Sequence, residues 1–224
     1  SPALIIADTP YLAIEAGSRA RIPTVALANF TWDIVLKEYC SPSDKAQQQL
    51  LQDIRRSYAK AHRALRITPA PRIDAFSNMI DVDPIASPAT PDRDRLVSVL
   101  ALRSNERTVL VGFGGIPLTS LPLEHMEQLR DYRFLFDGPV PPRYSHIHST
   151  QTLPFSFRTL LASVDVIMTK PGYGTIVEAV MLQQPVIYVR RYNFVDEQPL
   201  VDFLHHYGCG IELSIDDLTR GQWQ

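Results

Sequence analysis

Short apolar runs alternate with longer stretches of helical period along almost the whole chain, and no other feature narrows the fold as much. Leu4 to Ala7 reads as a buried strand, and Leu12 to Arg19 as a helix. Thr24 to Ala28 is the next strand, entered through Ile22-Pro23. Ser43 is placed to cap a long helix. Its Leu50, Ile54 and Tyr58, continued by Ala61 and Leu65, recur at steps of four and three and share a face. Leu65 to Thr68 is a short strand after it. Such alternation calls for parallel sheets with helices on both faces, the α/β class.

Pro69 to Pro91 interrupts the pattern with five prolines and reads as strand-end loops plus a stiff linker. Beyond it a helix resumes at Asp92 to Leu102, and the alternation returns. Strands are expected at Thr108 to Val111, Tyr132 to Phe136, Asp165 to Thr169 and Val186 to Val189. Helices are expected at Phe155 to Ser163, Gly174 to Leu182 and Asp196 to Tyr207, the last opened by Asp196 as a cap and stopped by Gly208. The expectation is two Rossmann-like parallel-sheet domains, residues 1–87 with an incomplete sheet and residues 88–224.

A chain of 224 residues with 45% apolar side chains can bury a core, which excludes global disorder. Its formal charge of −2 excludes a general nucleic-acid binder, which needs a basic face, but leaves room for a local anion pocket. No apolar run reaches the roughly 18 residues of a membrane span. Two distant cysteines, Cys40 and Cys209, form no disulfide framework or CxxC pair, and no signal peptide opens the chain; a cytoplasmic setting follows as the expectation. The chain starts without Met inside a strand and stops just after Asp216-Asp217-Leu218-Thr219, which reads as a helix start. A fragment of a longer protein is therefore expected.

The sharpest chemical feature runs from Asp165 to Glu178. A buried strand ends at Thr169-Lys170, Gly172 and Gly174 permit a tight turn, and Thr175 opens a helix. Free amides and the dipole at such a helix start attract a phosphate. Thr175 adds a hydroxyl donor, and Glu178, one turn on, can accept both hydroxyls of a ribose. In open α/β sheets, ligands bind at the carboxyl ends of strands, where this turn lies. The competing reading is a plain strand–turn–helix with Glu178 solvated or paired with an arginine. Gly112, Gly114 and Gly115 follow another strand; Ile116-Pro117 breaks any GxGxxG pattern, so a diphosphate-facing loop and a simple turn both stand. Asp196, Glu197 and Gln198 follow a further strand end and can reach hydroxyls, and Phe155 can present apolar surface to a base ring.

The order Asp165, Gly172, Gly174, Thr175, Glu178, Pro185, Asp196, Glu197, Gln198 resembles the donor half of GT-B glycosyltransferases. It is similar to the lipid II-forming N-acetylglucosaminyltransferase and its relatives. The resemblance implies a nucleoside-diphosphate (UDP-type) sugar donor, with Thr175 and its neighbours on the diphosphate, Glu178 on the ribose, and Glu197 and Gln198 on the sugar. It implies transfer to an acceptor hydroxyl with inversion, without a metal or other cofactor. More weakly, Leu4 to Pro71 resembles the later part of the acceptor domain. Asp8-Thr9 and Asn29-Phe30-Thr31-Trp32-Asp33 would then line the acceptor side, with Thr9, Asn29 and Trp32 as contacts. The family's catalytic base would precede Ser1, which leaves this fragment inactive alone and Asp8 and Asp33 as weak candidates.

Two other readings stay open. One is a nucleotide-sugar epimerase or hydrolase using Asp196, Glu197, Asp8 or Asp33. The other is a non-catalytic nucleotide-sugar-binding domain fused to a kinase or another enzyme. Asp81-Val82-Asp83 matches a DxD metal motif but falls in the proline stretch and is discounted. His146 and His148 lack a third ligand and read as solvated. His205-His206 suits the negative end of a helix dipole.

Overall fold

The computed structural model describes residues 2–114, 121–192 and 194–223, and contains ten strands and nine helices among them. The chain divides into two compact units, residues 1–85 with 192–200, and residues 86–191 with 201–224.

The first unit holds a four-stranded parallel sheet in the order β1 (Ile5–Asp8), β2 (Thr24–Ala28), β3 (Arg63–Ile67), β4 (Met79–Val82). Helix α1 (Tyr11–Ala20) ends where Arg21 turns left-handed at φ 57°. A short α2 (Trp32–Lys37) follows β2, and α3 (Lys45–Tyr58) precedes β3. Ala7, Ile14, Ala26, Ile54, Tyr58, Ala64, Ile73 and Ala75 form the core. Small residues on the strands let α1 and α3 approach the sheet closely. Gly17 shows how close: a Cβ there would stand 2.3 Å from Thr24 Oγ1.

Three expectations need correction here. Asp44, not Ser43, caps α3: its carboxylate accepts from the Ala46 and Gln47 amides. Leu50 is largely exposed, so the buried stripe of α3 starts at Ile54. The proline stretch is not all linker, for it contains β4. Asp81 lies in that strand and takes both ends of the Arg66 guanidinium at 2.7 and 2.6 Å, so the DxD lookalike serves a cross-strand ion pair.

The second unit holds a six-stranded parallel sheet in the order β10 (Gly210–Glu212), β9 (Val186–Tyr188), β8 (Val166–Thr169), β5 (Arg107–Gly112), β6 (Tyr132–Phe136), β7 (Ile147–Ser149). Central β5 is buried on both faces from Thr108 to Val111, as a parallel strand covered by helices should be. Its helices are α4 (Arg93–Leu100), α5 (Leu123–Gln128), α6 (Phe157–Ser163), α7 (Tyr173–Met181), α8 (Glu197–Tyr207, begun in the 192–200 segment) and α9 (Ile215–Arg220). Ser156 caps α6 on the Thr159 amide, and Ser214 caps α9 on the Asp217 amide. At the amino ends of the strands, Asp165 accepts from the Thr108 amide and hydroxyl and from Arg93, tying β5, β8 and α4. Gly208 does not stop α8 by a left-handed turn; its φ is ordinary, and a Cβ would stand 3.0 Å from Val180 Cγ2 and 3.1 Å from the Leu204 carbonyl. Close packing requires glycine there.

No helix among the described residues is long and apolar enough to cross a membrane.

Candidate functional site

In the second unit, β5 leads to β6 and β7 on one side, while β8 leads to β9 and β10 on the other. The chain therefore reverses direction across the β5–β8 pair, where Gly112 stands beside Thr169. This is the topological switch point of a doubly wound sheet, the place where such sheets bind ligands. Two loops leave it. Thr169 Oγ1 donates to the Gly112 carbonyl at 2.7 Å, and Lys170 Nζ to the Gly114 carbonyl at 2.8 Å. Gly114 turns left-handed at φ 48°, a conformation open to glycine. Gly115 lies outside the described residues.

Past Lys170 the chain enters α7 through Gly172, whose φ of −129° and ψ of 140° are extended, with no side-chain cap on the helix. The expected tight glycine turn is therefore not what is found: neither Gly172 nor Gly174 has a left-handed φ. Among the described residues, a Cβ at Gly172 would meet nothing nearer than the Lys170 carbonyl at 3.9 Å, and one at Gly174 nothing within 4 Å. The fold itself does not demand glycine at either position. They leave no Cβ on either side of Tyr173 where α7 begins. Thr175 stands half-buried on the next residue, its side chain making no hydrogen bond among the described residues.

Charge at this edge is positive. Burial, and secondarily the nearby Arg191, pushes the Lys170 ammonium below its ordinary pKa. Arg191 donates to the Pro171 carbonyl at 3.3 Å. An anion here would offset two cations held close together in partly buried surroundings. Glu178 follows on α7 with its side chain 15% exposed, and Arg158 Nε of α6 lies 3.4 Å from its Oε1. Of the two sequence alternatives for Glu178, the arginine-paired state is the one observed. Phe155 is partly covered on one side by the Arg95 guanidinium, 5.2 Å from the ring centre. Gly112, Gly114, Gly172, Gly174, Thr175, Glu178 and Phe155 thus all belong to the second unit.

Asp196, Glu197 and Gln198 do not: they belong to the first. Asn29 Nδ2 donates to Asp196 Oδ2 at 3.3 Å, and Glu197, 1% exposed, accepts from the Tyr192 amide at 2.8 Å. Gln198 is exposed. Phe30 packs edge-on between Trp32 and Phe194. Two of the three expected acceptor-side residues, Thr9 and Trp32, are joined by one buried side chain. Tyr58 donates its hydroxyl proton to the Thr9 carbonyl at 2.6 Å and accepts from the Trp32 amide at 3.2 Å. Burial pushes its phenol up to about 12; the Trp32 amide opposes this, and the charge of Asp33 adds to it. Thr9 itself is left-handed at φ 69°. Asp8 is exposed, whereas Asp33 is 9% exposed with Oδ1 making no hydrogen bond among the described residues.

The histidine expectations change. His146 is 6% exposed, with Nδ1 3.2 Å from the Tyr132 carbonyl, and His148 Nε2 is buried, so this pair is packed rather than solvated. His205 Nε2 lies 2.8 Å from the Tyr188 hydroxyl. Among the described residues no three His, Cys, Asp or Glu side chains gather as metal ligands. A cavity of about 1150 Å³ lies away from the switch point on a sheet face lined by Val109, Phe134, Met168, Ile187 and Trp223. Its lining also carries His125 and Arg220 beside the carboxylates Glu212 and Asp217, but it lies off the carboxyl ends of the strands, where such sheets bind ligands, so the strand-end site is the better candidate.

Sequence reasoning missed Lys170, Arg158 and Tyr58. Lys170 had a legible signal, a cation closing a buried strand just before Pro-Gly. Arg158 and Tyr58 act through partners distant in sequence and had none.

No family model matches the chain. It is 27% identical over 225 residues to L-arabinokinase from Arabidopsis thaliana, a match covering 98% of this chain and 21% of that protein. The chain thus spans about a fifth of the relative's length. Among solved structures, it is similar to a UDP-glucose:anthocyanidin 3-O-glucosyltransferase in complex with UDP. There the TM-score is 0.61 at 13% identity, covering 98% of this chain and 65% of that one. It is also similar to the glycosyltransferase VinC in complex with dTDP, with a TM-score of 0.56 at 16% identity, covering 99% and 62%. The fold is that of GT-B glycosyltransferases, over roughly two thirds of their length.

Proposed function

We propose that this chain binds a nucleoside-diphosphate sugar at the carboxyl ends of β5 and β8. In the whole protein, it would transfer the sugar to an acceptor hydroxyl with inversion. The observation that carries this is the pair Gly172 and Gly174: side chains are missing, without steric need, where α7 presents its first amides at a switch point. Those amides, Thr175 and the ammonium of Lys170 would take up charge growing on the departing diphosphate. Glu178 would accept from the ribose hydroxyls. With charge met by amides and cations, the reaction calls for no metal or other cofactor. A base on the acceptor side would take the hydroxyl proton. UDP is the favoured donor nucleotide. The residue order from Asp165 to Gln198 is the ground for placing the chain near the lipid II-forming enzyme and its relatives. Free Cys40 and Cys209 fit a cytoplasmic location.

The 27% likeness to L-arabinokinase favours a second reading, a nucleotide-sugar-binding domain within a larger sugar-phosphorylating protein. Calorimetric titration of UDP, dTDP, ADP and UDP-sugars into the chain tests the shared part of both. Glu178→Gln should weaken the bound nucleotide by about 1–3 kcal/mol, the loss expected for a hydrogen bond to a charged group. Thr175→Val should weaken UDP more than uridine. Absence of binding by every nucleotide would end both readings. Sugar transferred by the full-length protein to an added acceptor separates the first from the second, and free sugar or an epimer from donor alone would replace transfer by hydrolysis or epimerisation.

A further inference from the structure

Glu178 is the sole charged residue of α7, whose other residues are Tyr, Gly, Thr, Ile, Val, Ala and Met. Arg158 stands in the first turn of α6, just after the Ser156 cap. A cation there opposes the helix dipole, which favours negative charge at an amino end. The pair is also a poor device for stability: Arg158 is 58% exposed, and exposed ion pairs contribute little. Neither helix gains from the arrangement. What it does fix is the carboxylate. Arg158 Nε meets Oε1 at 3.4 Å, and the Glu178 side chain has no other hydrogen bond or ion pair among the described residues. One oxygen is ion-paired and the other left to accept. A lone glutamate on a helix samples several rotamers, and each must be frozen when a ligand binds.

We propose that Arg158 is the positioning residue of the pentose clasp. By holding Glu178 through Oε1, it pre-sets the second oxygen for a ribose hydroxyl and so makes the site select ribonucleotides over 2′-deoxyribonucleotides. This rests on the reading that Glu178 receives the ribose of a nucleoside diphosphate. The step is one of orientation; no bond is made or broken.

The test is isothermal titration of the whole chain with UDP and 2′-deoxy-UDP, and with the ADP and GDP pairs should another base bind better. Wild type, Arg158→Ala, Arg158→Gln, Arg158→Lys, Glu178→Gln and the Arg158→Ala/Glu178→Gln double variant are compared. Wild type should prefer the ribonucleotide about tenfold, the scale of one charge-assisted hydrogen bond. Arg158→Ala and Arg158→Gln should bring that ratio close to unity with melting temperature unchanged. Arg158→Lys should restore part of it, and the double variant should lose no more than Glu178→Gln alone. Should Arg158→Ala fail to fold, the polar but uncharged Arg158→Gln carries the measurement. A ratio kept in Arg158→Gln but lost in Glu178→Gln overturns the role of Arg158 and leaves the ribose reading standing. A ratio kept in Glu178→Gln overturns the ribose reading itself. Equal wild-type affinity for the two nucleotides, or binding of neither, removes the proposal.

Discussion

Gly174→Ala separates what the fold needs from what a ligand needs. Gly174 lies in the first turn of α7 with an ordinary φ, and a Cβ there meets no atom of the described residues within 4 Å. Alanine would therefore enter without strain. It would also shed conformational freedom from the unfolded chain, a gain of about 0.5–1 kcal/mol. In a chain of this size that raises the melting temperature by roughly 1–4 °C. The same methyl group would stand beside the amides proposed to receive the diphosphate. UDP affinity should fall at least about tenfold, or ~1.4 kcal/mol. Stability and binding thus move in opposite directions. Differential scanning calorimetry and titration calorimetry on the same preparation read both. Gly208→Ala is the control, because its Cβ would press on Val180 Cγ2 at 3.0 Å and the Leu204 carbonyl at 3.1 Å. It should lower the melting temperature and leave UDP affinity alone. A Gly174→Ala protein that melts earlier than wild type would show that the open space is not open. One that binds UDP like wild type would show that no phosphate approaches there.

Two further outcomes concern stability. Tyr58→Phe strands the Thr9 carbonyl and the Trp32 amide, and should cost about 1–3 kcal/mol in urea unfolding followed by near-UV circular dichroism. Because the Tyr58 phenol is raised to about 12 in the folded chain, its contribution is complete below the ordinary tyrosine value of about 10 and drains away as pH climbs toward 12. The phenylalanine variant should lose less stability than wild type over that alkaline window. At Asp165, burial pushes the carboxyl up, but the Thr108 amide and hydroxyl with Arg93 and Arg107 outweigh it and hold the group below its usual range. Asp165→Asn should cost about 1–2 kcal/mol at neutral pH, a figure kept low by solvent screening. That gap should narrow as pH falls below about 4, since a lowered carboxyl stabilises only while ionised. A gap that does not change with pH would deny the ion pairs their role.

Sequence pattern reached some of this molecule and not the rest, for identifiable reasons. Thr24–Ala28 and Tyr132–Phe136 were legible to the residue because each is an apolar run sharply bounded by turn formers. β4 was missed because its Ile80 is exposed, its Asp81 is ionised, and proline surrounds it; pairing with β3 and the Arg66 ion pair hold it in place. The six-residue α5 is too short to show a period. At the candidate site, the strand–glycine–helix order was visible, whereas the reason for the glycines was not, because open space is a property of neighbours. The same holds for Glu178. Its spacing from Thr175 is written in the chain, but its engagement by Arg158 depends on how two helices pack. Unit membership of Asp196 to Gln198 likewise follows from tertiary contacts, with Asn29 reached across 167 positions.

The two carbonyls that receive Thr169 and Lys170 lie 57 and 56 positions upstream of their donors. These tethers make the loops after β5 and β8 one mechanical cassette, although translation writes them far apart. Exchanging a single one of these loops would cut both tethers and leave a hydroxyl and an ammonium to find new acceptors. Any graft that keeps the tethers must carry both strand ends together.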